Sequence, residues 1–183
     1  MENKNNPMLL LVLSVFSFLL LNPAEAHVGR PALHGMANLQ ITAACRKTSY
    51  PDLCATTLGA NMDATVGVKD STAIFKTALK AAVAEANAAI SKTERLIVAV
   101  DNPMDLDCLT SCKKYYNEAI ARIQEAMTDN NYNSVMSTLS SAISQISTCG
   151  DDFEPRVNKM AKINQRARGV IDNALALAGF ARW

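Results

Sequence analysis

The sequence predicts an all-α protein: an antiparallel, up-and-down four-helix bundle preceded by an N-terminal helical hairpin. Three observations lead there. Four long segments carry apolar residues every three or four positions. Hydrophobic residues make up 49 % of the 183-residue chain and aromatics only 5 %. That palette of Ala, Leu, Ile, Val and Met suits helix cores better than strands. Gly (7) and Pro (6) are too sparse for the many tight turns of an all-β fold.

Residues 1–26 read as a secretory signal peptide. Lys4 lies in a polar start, and Met8 to Leu21 is a nearly unbroken apolar run. Pro23, Ala24, Glu25 and Ala26 then give a small-x-small cleavage site, so His27 begins the mature chain. A run of about 14 residues falls short of the roughly 20 needed to span a bilayer. No membrane attachment is expected after cleavage. Residues 27–36 form a flexible polar lead holding both histidines, His27 and His34. Residues 37–183 form one domain.

The domain opens with a short helix from Ala37 to about Arg46, and the stretch Ser49–Pro51 breaks it. Pro51 then suits the first turn of a second short helix, from Asp52 to Leu58, with Gly59 closing it. The first long helix runs from about Lys69 to Val100, with Phe75, Leu79, Val83, Ala86, Ile90 and Ile97 on its stripe. Asp101, Asn102 and Pro103 end it. The second runs from Met104 to Met127, with Leu109, Cys112, Tyr116, Ala119 and Ile123 in the same rhythm, and Asp129 to Asn131 form the turn. The third runs from Tyr132 to Thr148 through Val135, Leu139, Ala142 or Ile143, and Ile146, with Cys149 and Gly150 as its stop. The fourth starts near Pro155 and carries Val157, Met160, Ile163, Ala167, Val170, Ala174 and Leu177. Four such helices with short connections bury their stripes together when packed antiparallel, and the hairpin docks outside them.

Five cysteines, Cys45, Cys54, Cys108, Cys112 and Cys149, occur in an exported chain. The odd count implies two disulfides and one spare thiol. Cys45 and Cys54 flank a turn, an arrangement that suits a stapled hairpin. Cys108 and Cys112 lie one helical turn apart on one face, so periodicity lets either reach Cys149. They do not suit each other, because side chains at i and i+4 run parallel.

These residues carry a family resemblance. The run from Cys45 through Thr48, Tyr50 and Pro51 to Cys54 resembles the Cys…Thr-x-Tyr-Pro-x-x-Cys opening of plant invertase and pectin methylesterase inhibitors. Cys112, Tyr116 and Ala119 resemble their Cys-x-x-x-Tyr-x-x-Ala segment. Tyr132, Val135, Leu139, Ser140, Ala142, Thr148, Cys149 and Phe153 resemble their third conserved stretch. The match runs from about Leu39 to the end. It implies disulfides Cys45–Cys54 and Cys112–Cys149, which leaves Cys108 as the extra cysteine, open to an intermolecular bridge and a dimer. On the loop-entropy argument the two bridges contribute at most about 2.7 and about 3.9 kcal/mol.

The resemblance also implies function: a secreted protein, not an enzyme, that docks on a target in the cell wall. One class covers the substrate cleft of pectin methylesterase in a one-to-one complex. The alternative class inhibits acid invertase, with a Pro-Lys-Phe motif between the second and third bundle helices. Asp129 to Asn133 contain no such motif, which favours pectin methylesterase. The export route serves the apoplast, with the vacuole as an alternative destination. Carried over by position, the docking residues are Tyr115, Glu118, Asn131, Asn133, Thr148 and Asp151. Lys113 and Lys114 stand where relatives often carry acidic or neutral residues, and Ala121 where many are acidic.

Other functions find little support. The chain has 18 basic and 17 acidic residues, a formal charge of +1, which gives no electrostatic case for nucleic acid. Ser140 and Ser141 lie mid-helix without a histidine partner. Asp151 and Asp152 lack the alternating oxygen ligands of a calcium loop. No cofactor or metal is expected. Met104, Met127, Met136 and Met160 read as core filler, and Tyr116 as a half-buried packing residue.

Overall fold

The structure is a computed structural model that describes residues 39–61 and 70–183. The expected signal peptide, the flexible lead and the expected helix starts at Ala37 and Lys69 lie outside the described residues.

Polar residues at the helix starts set most of the boundaries. Helix α1 covers 39–45 and buries Ile41 and Cys45. Helix α2, Pro51–Asn61, begins on its proline, whose missing N–H costs nothing in a first turn. Asp70 caps α3, Ser71–Ala99, by accepting from the Ala73 amide at 2.7 Å. Asn102 caps α4, Pro103–Thr128, by accepting from the amides of Met104 and Asp105. Asn131 caps α5, Tyr132–Asp151, through the Ser134 amide. Helix α6, Ala161–Ala178, lacks a side-chain cap of this kind. Instead Asn158 Oδ1 accepts from the Met160 amide just ahead of it. Replacing Asn102 by alanine strips two amides of their acceptor. It is expected to lower unfolding free energy by about 1 kcal/mol, read as a lower urea midpoint with an unchanged slope.

All regular structure among the described residues is helical. Helix α3 packs on α4 and α6, and α5 packs on α4 and α6, which closes the ring of a four-helix bundle. The core is the predicted stripes: Leu79 and Ala86 of α3, Leu109, Tyr116 and Ile123 of α4, Val135, Leu139 and Ile146 of α5, and Val170, Ile171 and Ala174 of α6. Alanines such as Ala82, Ala119 and Ala142 let the helices approach closely. The ion pairs Glu85–Arg166 (2.9 Å) and Glu94–Lys113 (2.7 Å) cross between helices at the rim.

The hairpin of α1 and α2 docks on α3 and α6, outside the bundle. Cys45–Cys54 staples it, with Cα atoms 5.5 Å apart. Asn173 of α6 accepts from the Tyr50 amide at 3.1 Å and donates to its carbonyl at 3.0 Å. A side chain at Gly169 would place Cβ 2.9 Å from Leu53 Cδ2, so the Leu53 tip would have to turn aside for any other residue. The second bridge, Cys112–Cys149, ties α4 to α5 with Cα atoms 4.7 Å apart. Both pairings are those the resemblance implied.

Four expectations are corrected. Gly59 and Gly150 lie inside helices, neither with positive φ. Helix α5 continues past Gly150 because the Asp152 amide donates to Thr148 O and Asn158 Nδ2 donates to Gly150 O. The fourth bundle helix starts at Ala161, not near Pro155. Pro155 follows a cis peptide in a linker anchored by the fully buried Phe153, and Val157 is 83 % exposed. Met104 is exposed as well, while Met160 is fully buried and Met127 and Met136 pack on the core. Tyr116 is fully buried, not half-buried. The C-terminus is also tied down. Trp183 Nε1 donates to Ala178 O at 3.1 Å, and its ring meets Phe75 and Tyr132.

Candidate functional site

The Cys112–Cys149 bridge fixes the register of α4 against α5. Antiparallel helices then set the residues just after Cys112 against those just before Cys149. Tyr115 and Glu118 lie on this side of α4, and Ser141, Ser144, Gln145 and Thr148 line the facing side of α5. The result is a polar face with the disulfide beneath it, which ties the two helices together.

Tyr115 is its half-buried member. Aromatic side chains in a helix lean toward its N-terminus, which here is the C-terminal end of α5. The Tyr115 hydroxyl therefore lies close enough to the Asp152 carboxylate to interact with it. Burial pushes the phenol above its usual range, and the Asp152 charge, the hydrogen bond to Asp152 and the Glu118 charge push the same way. Tyr115 is thus a neutral donor. Glu118 faces outward and meets Lys114, one turn earlier, at 3.8 Å. Exposed pairs of this kind are weak, so Glu118 remains available to a partner.

The six sequence-derived residues separate into three groups. Tyr115, Glu118 and Thr148 share the α4–α5 face. The Thr148 hydroxyl donates back to Ser144 O at 3.1 Å, which leaves its lone pairs outward. Asp151 lies on the other flank of α5, in the wall of a cleft shared with α6. Asn131 and Asn133 stand at the far end of the bundle, about 20 Å from Tyr115 by helical rise. Asn131 spends its side-chain oxygen capping α5, and Asn133 is exposed.

Sequence reasoning missed Asp152 as a partner of Tyr115. The signal was present: Asp152 lies one turn beyond Cys149. It becomes legible once the bridge sets the register and the lean of the tyrosine is taken into account.

Cys108 is the one free cysteine among the described residues, and it is buried. Its thiol donates to Asp152 O at 3.0 Å, and Arg156 Nη2 donates to its sulfur at 2.8 Å. Arg156 and Lys159 in turn approach Asp105, at 3.8 and 3.0 Å. The sulfur therefore helps to fasten the α5–α6 linker onto α4. An intermolecular bridge through Cys108 would require this clasp to open.

Among the described residues there is no histidine, and Ser140 Oγ donates to Met136 O within its own helix. No group of His, Cys, Asp or Glu among them is placed to hold a metal ion. No helix among them is long and apolar enough to cross a membrane.

Comparison with known proteins gives a consistent result. Residues 40–177 match the family profile described as plant invertase/pectin methylesterase inhibitor. A crystal structure of a mutant form of a pectin methylesterase inhibitor from Arabidopsis is similar, with a TM-score of 0.61 at 21 % identity, over 78 % of this chain and 97 % of that one. A second, of a pectin methylesterase inhibitor from Arabidopsis thaliana, gives 0.56 at 20 % identity over 79 % and 98 %. At these identities the likeness establishes the fold. The search of curated protein sequences returns no significant match.

Proposed function

The chain belongs to the plant invertase/pectin methylesterase inhibitor family, and from that premise we propose that it is a secreted inhibitor of a cell-wall pectin methylesterase. Residues 1–26 direct export and are removed, residues 27–36 form a lead, and the helical domain acts in the apoplast. The domain performs no reaction of its own. It covers the enzyme's substrate cleft in a one-to-one complex, presenting the α4–α5 face with Tyr115, Glu118 and Thr148 at its centre. Asn131, Asn133 and Asp151 make contacts at its edges.

The observation that carries this reading is the Cys112–Cys149 bridge beneath that polar face. A face that is already rigid loses little conformational entropy on docking. The half-buried Tyr115, beside Asp152, is the kind of aromatic that anchors interfaces. The turn between α4 and α5 lacks a Pro-Lys-Phe motif, which supports pectin methylesterase over acid invertase.

Light scattering on the mature chain mixed with a plant pectin methylesterase is expected to show a one-to-one complex. Glu118→Lys reverses the charge beside Tyr115 and is expected to weaken the complex at least about tenfold, or roughly 1.4 kcal/mol. Sucrose hydrolysis by acid invertase is expected to continue unchanged. Stoichiometric binding to invertase and none to pectin methylesterase would replace this reading with the alternative one.

A further inference from the structure

Tyr50 stands where two clefts meet. The larger, about 340 Å³, lies between the end of α5 and the start of α6 and includes Tyr50, Asp151, Glu154, Asn158, Asn164 and Arg168 in its lining. The smaller, about 230 Å³, also borders Tyr50 and is lined by Tyr50, Leu53, Lys162, Gln165 and Arg166. The larger cleft therefore carries two carboxylates and one cation, and the smaller one two cations.

The groups in the larger cleft are uncommitted. The side chains of Asp151, Glu154 and Arg168 have no ion pair or hydrogen bond among the described residues. In the smaller cleft Arg166 is held by Glu85 and Lys162 is free of any ion pair among them. Asn164 is only 6 % exposed, and its amide nitrogen carries two donors. The nitrogen bonds to the Cys149 sulfur at 3.3 Å, a weak acceptor, and its other N–H has no partner among the described residues. Gly150 keeps the floor open: a Cβ there would stand 3.3 Å from Asn158 Nδ2 and 3.5 Å from Asn164 Nδ2.

We propose that the α5–α6 cleft is a further contact site for a protein partner and receives an arginine side chain. The guanidinium offers five N–H donors to the carboxylates of Asp151 and Glu154 and stacks on the Tyr50 ring. Arg168 repels any cation, and the two carboxylates outweigh it, so the cleft stays net negative. With Asn164 Nδ2, Arg168 supplies donors for the carbonyl oxygens that flank an arginine in a peptide chain. The neighbouring basic cleft, which shares Tyr50, fits an acidic side chain of the same segment. Asp151 thereby acquires a role separate from the α4–α5 face. The identity of the partner rests on the function proposed above; the chemistry of the cleft does not.

The test is an NMR titration of the mature chain with N-acetyl-L-arginine amide, with N-acetyl-L-glutamate amide and methyl galactoside as comparison probes. The amide resonances of Gly150, Asp151 and Asn158 are expected to move saturably with the arginine probe alone. The double variant Asp151→Asn, Glu154→Gln is expected to bind it at least about tenfold more weakly. Gly150→Val, which fills the floor, is expected to abolish the response. An absent response, an equal one in the double variant, or a preference for the sugar or the glutamate probe overturns the proposal. These readings need no enzyme, so they stay distinct from a failure of the wild-type chain to bind pectin methylesterase.

Discussion

Replacing Cys112 and Cys149 together by alanine is expected to lower unfolding free energy by about 4 kcal/mol and the melting temperature by roughly 8–16 °C. The bridge joins residues 37 apart in sequence. Its loss frees a long loop in the unfolded chain, and each doubling of loop length adds only about 0.6 kcal/mol. The Cys45–Cys54 bridge spans 9 residues, so the corresponding double variant is expected to lose about 2.7 kcal/mol. The two also differ in kind. The first loosens the register of α4 against α5, and with it the polar face. The second loosens a hairpin that lies outside the bundle. Target binding is therefore expected to suffer more from the first at temperatures where both variants remain folded. A single Cys112→Ala change is a poorer test, because it leaves Cys149 with Cys108 one helical turn away. Guanidinium denaturation of both double variants, followed by a binding assay on the folded fraction, checks the ordering.

Tyr116 supplies the second large effect. Its ring is fully buried and its hydroxyl donates to Asn164 Oδ1 at 2.7 Å. Tyr116→Phe keeps the packing but leaves that oxygen unsatisfied in the core, at an expected cost of about 1–3 kcal/mol. Tyr116→Ala adds a cavity and is expected to cost about 3–5 kcal/mol or more. Burial, and then the Glu85 charge, hold the phenol in its neutral form well above the ordinary tyrosine range. The folded state therefore keeps a proton that the unfolded chain releases as pH passes the ordinary value of 10.0. The associated stability is complete below that pH and falls as pH rises above it. Urea titrations between neutral and strongly alkaline pH are expected to show this fall in the wild type, and a smaller one in Tyr116→Phe.

The bundle was legible because its signal is local. Leu109, Tyr116 and Ile123, or Val135, Leu139 and Ile146, announce a buried stripe by spacing alone, and all six are fully buried. The misjudged ends were decided by contacts from elsewhere in the chain. Gly150 is an ordinary stop signal, overruled by the amide of Asn158. Pro155 is an ordinary first-turn signal, but Phe153 is buried just before it and holds the chain in a linker. Val157 happened to fall in step with a stripe that starts later.

The candidate face was legible only in part. Tyr115, Glu118 and Thr148 come together because a bridge implied by family resemblance proved to be the one formed. Asp152 needed that register together with the lean of a helical tyrosine. The clamp of Asn173 on Tyr50 and the fit of Gly169 against Leu53 join positions more than a hundred residues apart. No periodicity links them. The clasp on Cys108 draws on Arg156 and Asp105, neither of which stands out as a partner for sulfur in the sequence.

The most direct measurement of the proposed role is methanol release from esterified pectin, followed while mature chain is added to a fixed amount of plant pectin methylesterase. Release should fall in proportion to the added protein and stop near equal molar amounts. Undiminished release at large molar excess, across mildly acidic to neutral pH and several plant isoforms, would contradict the account.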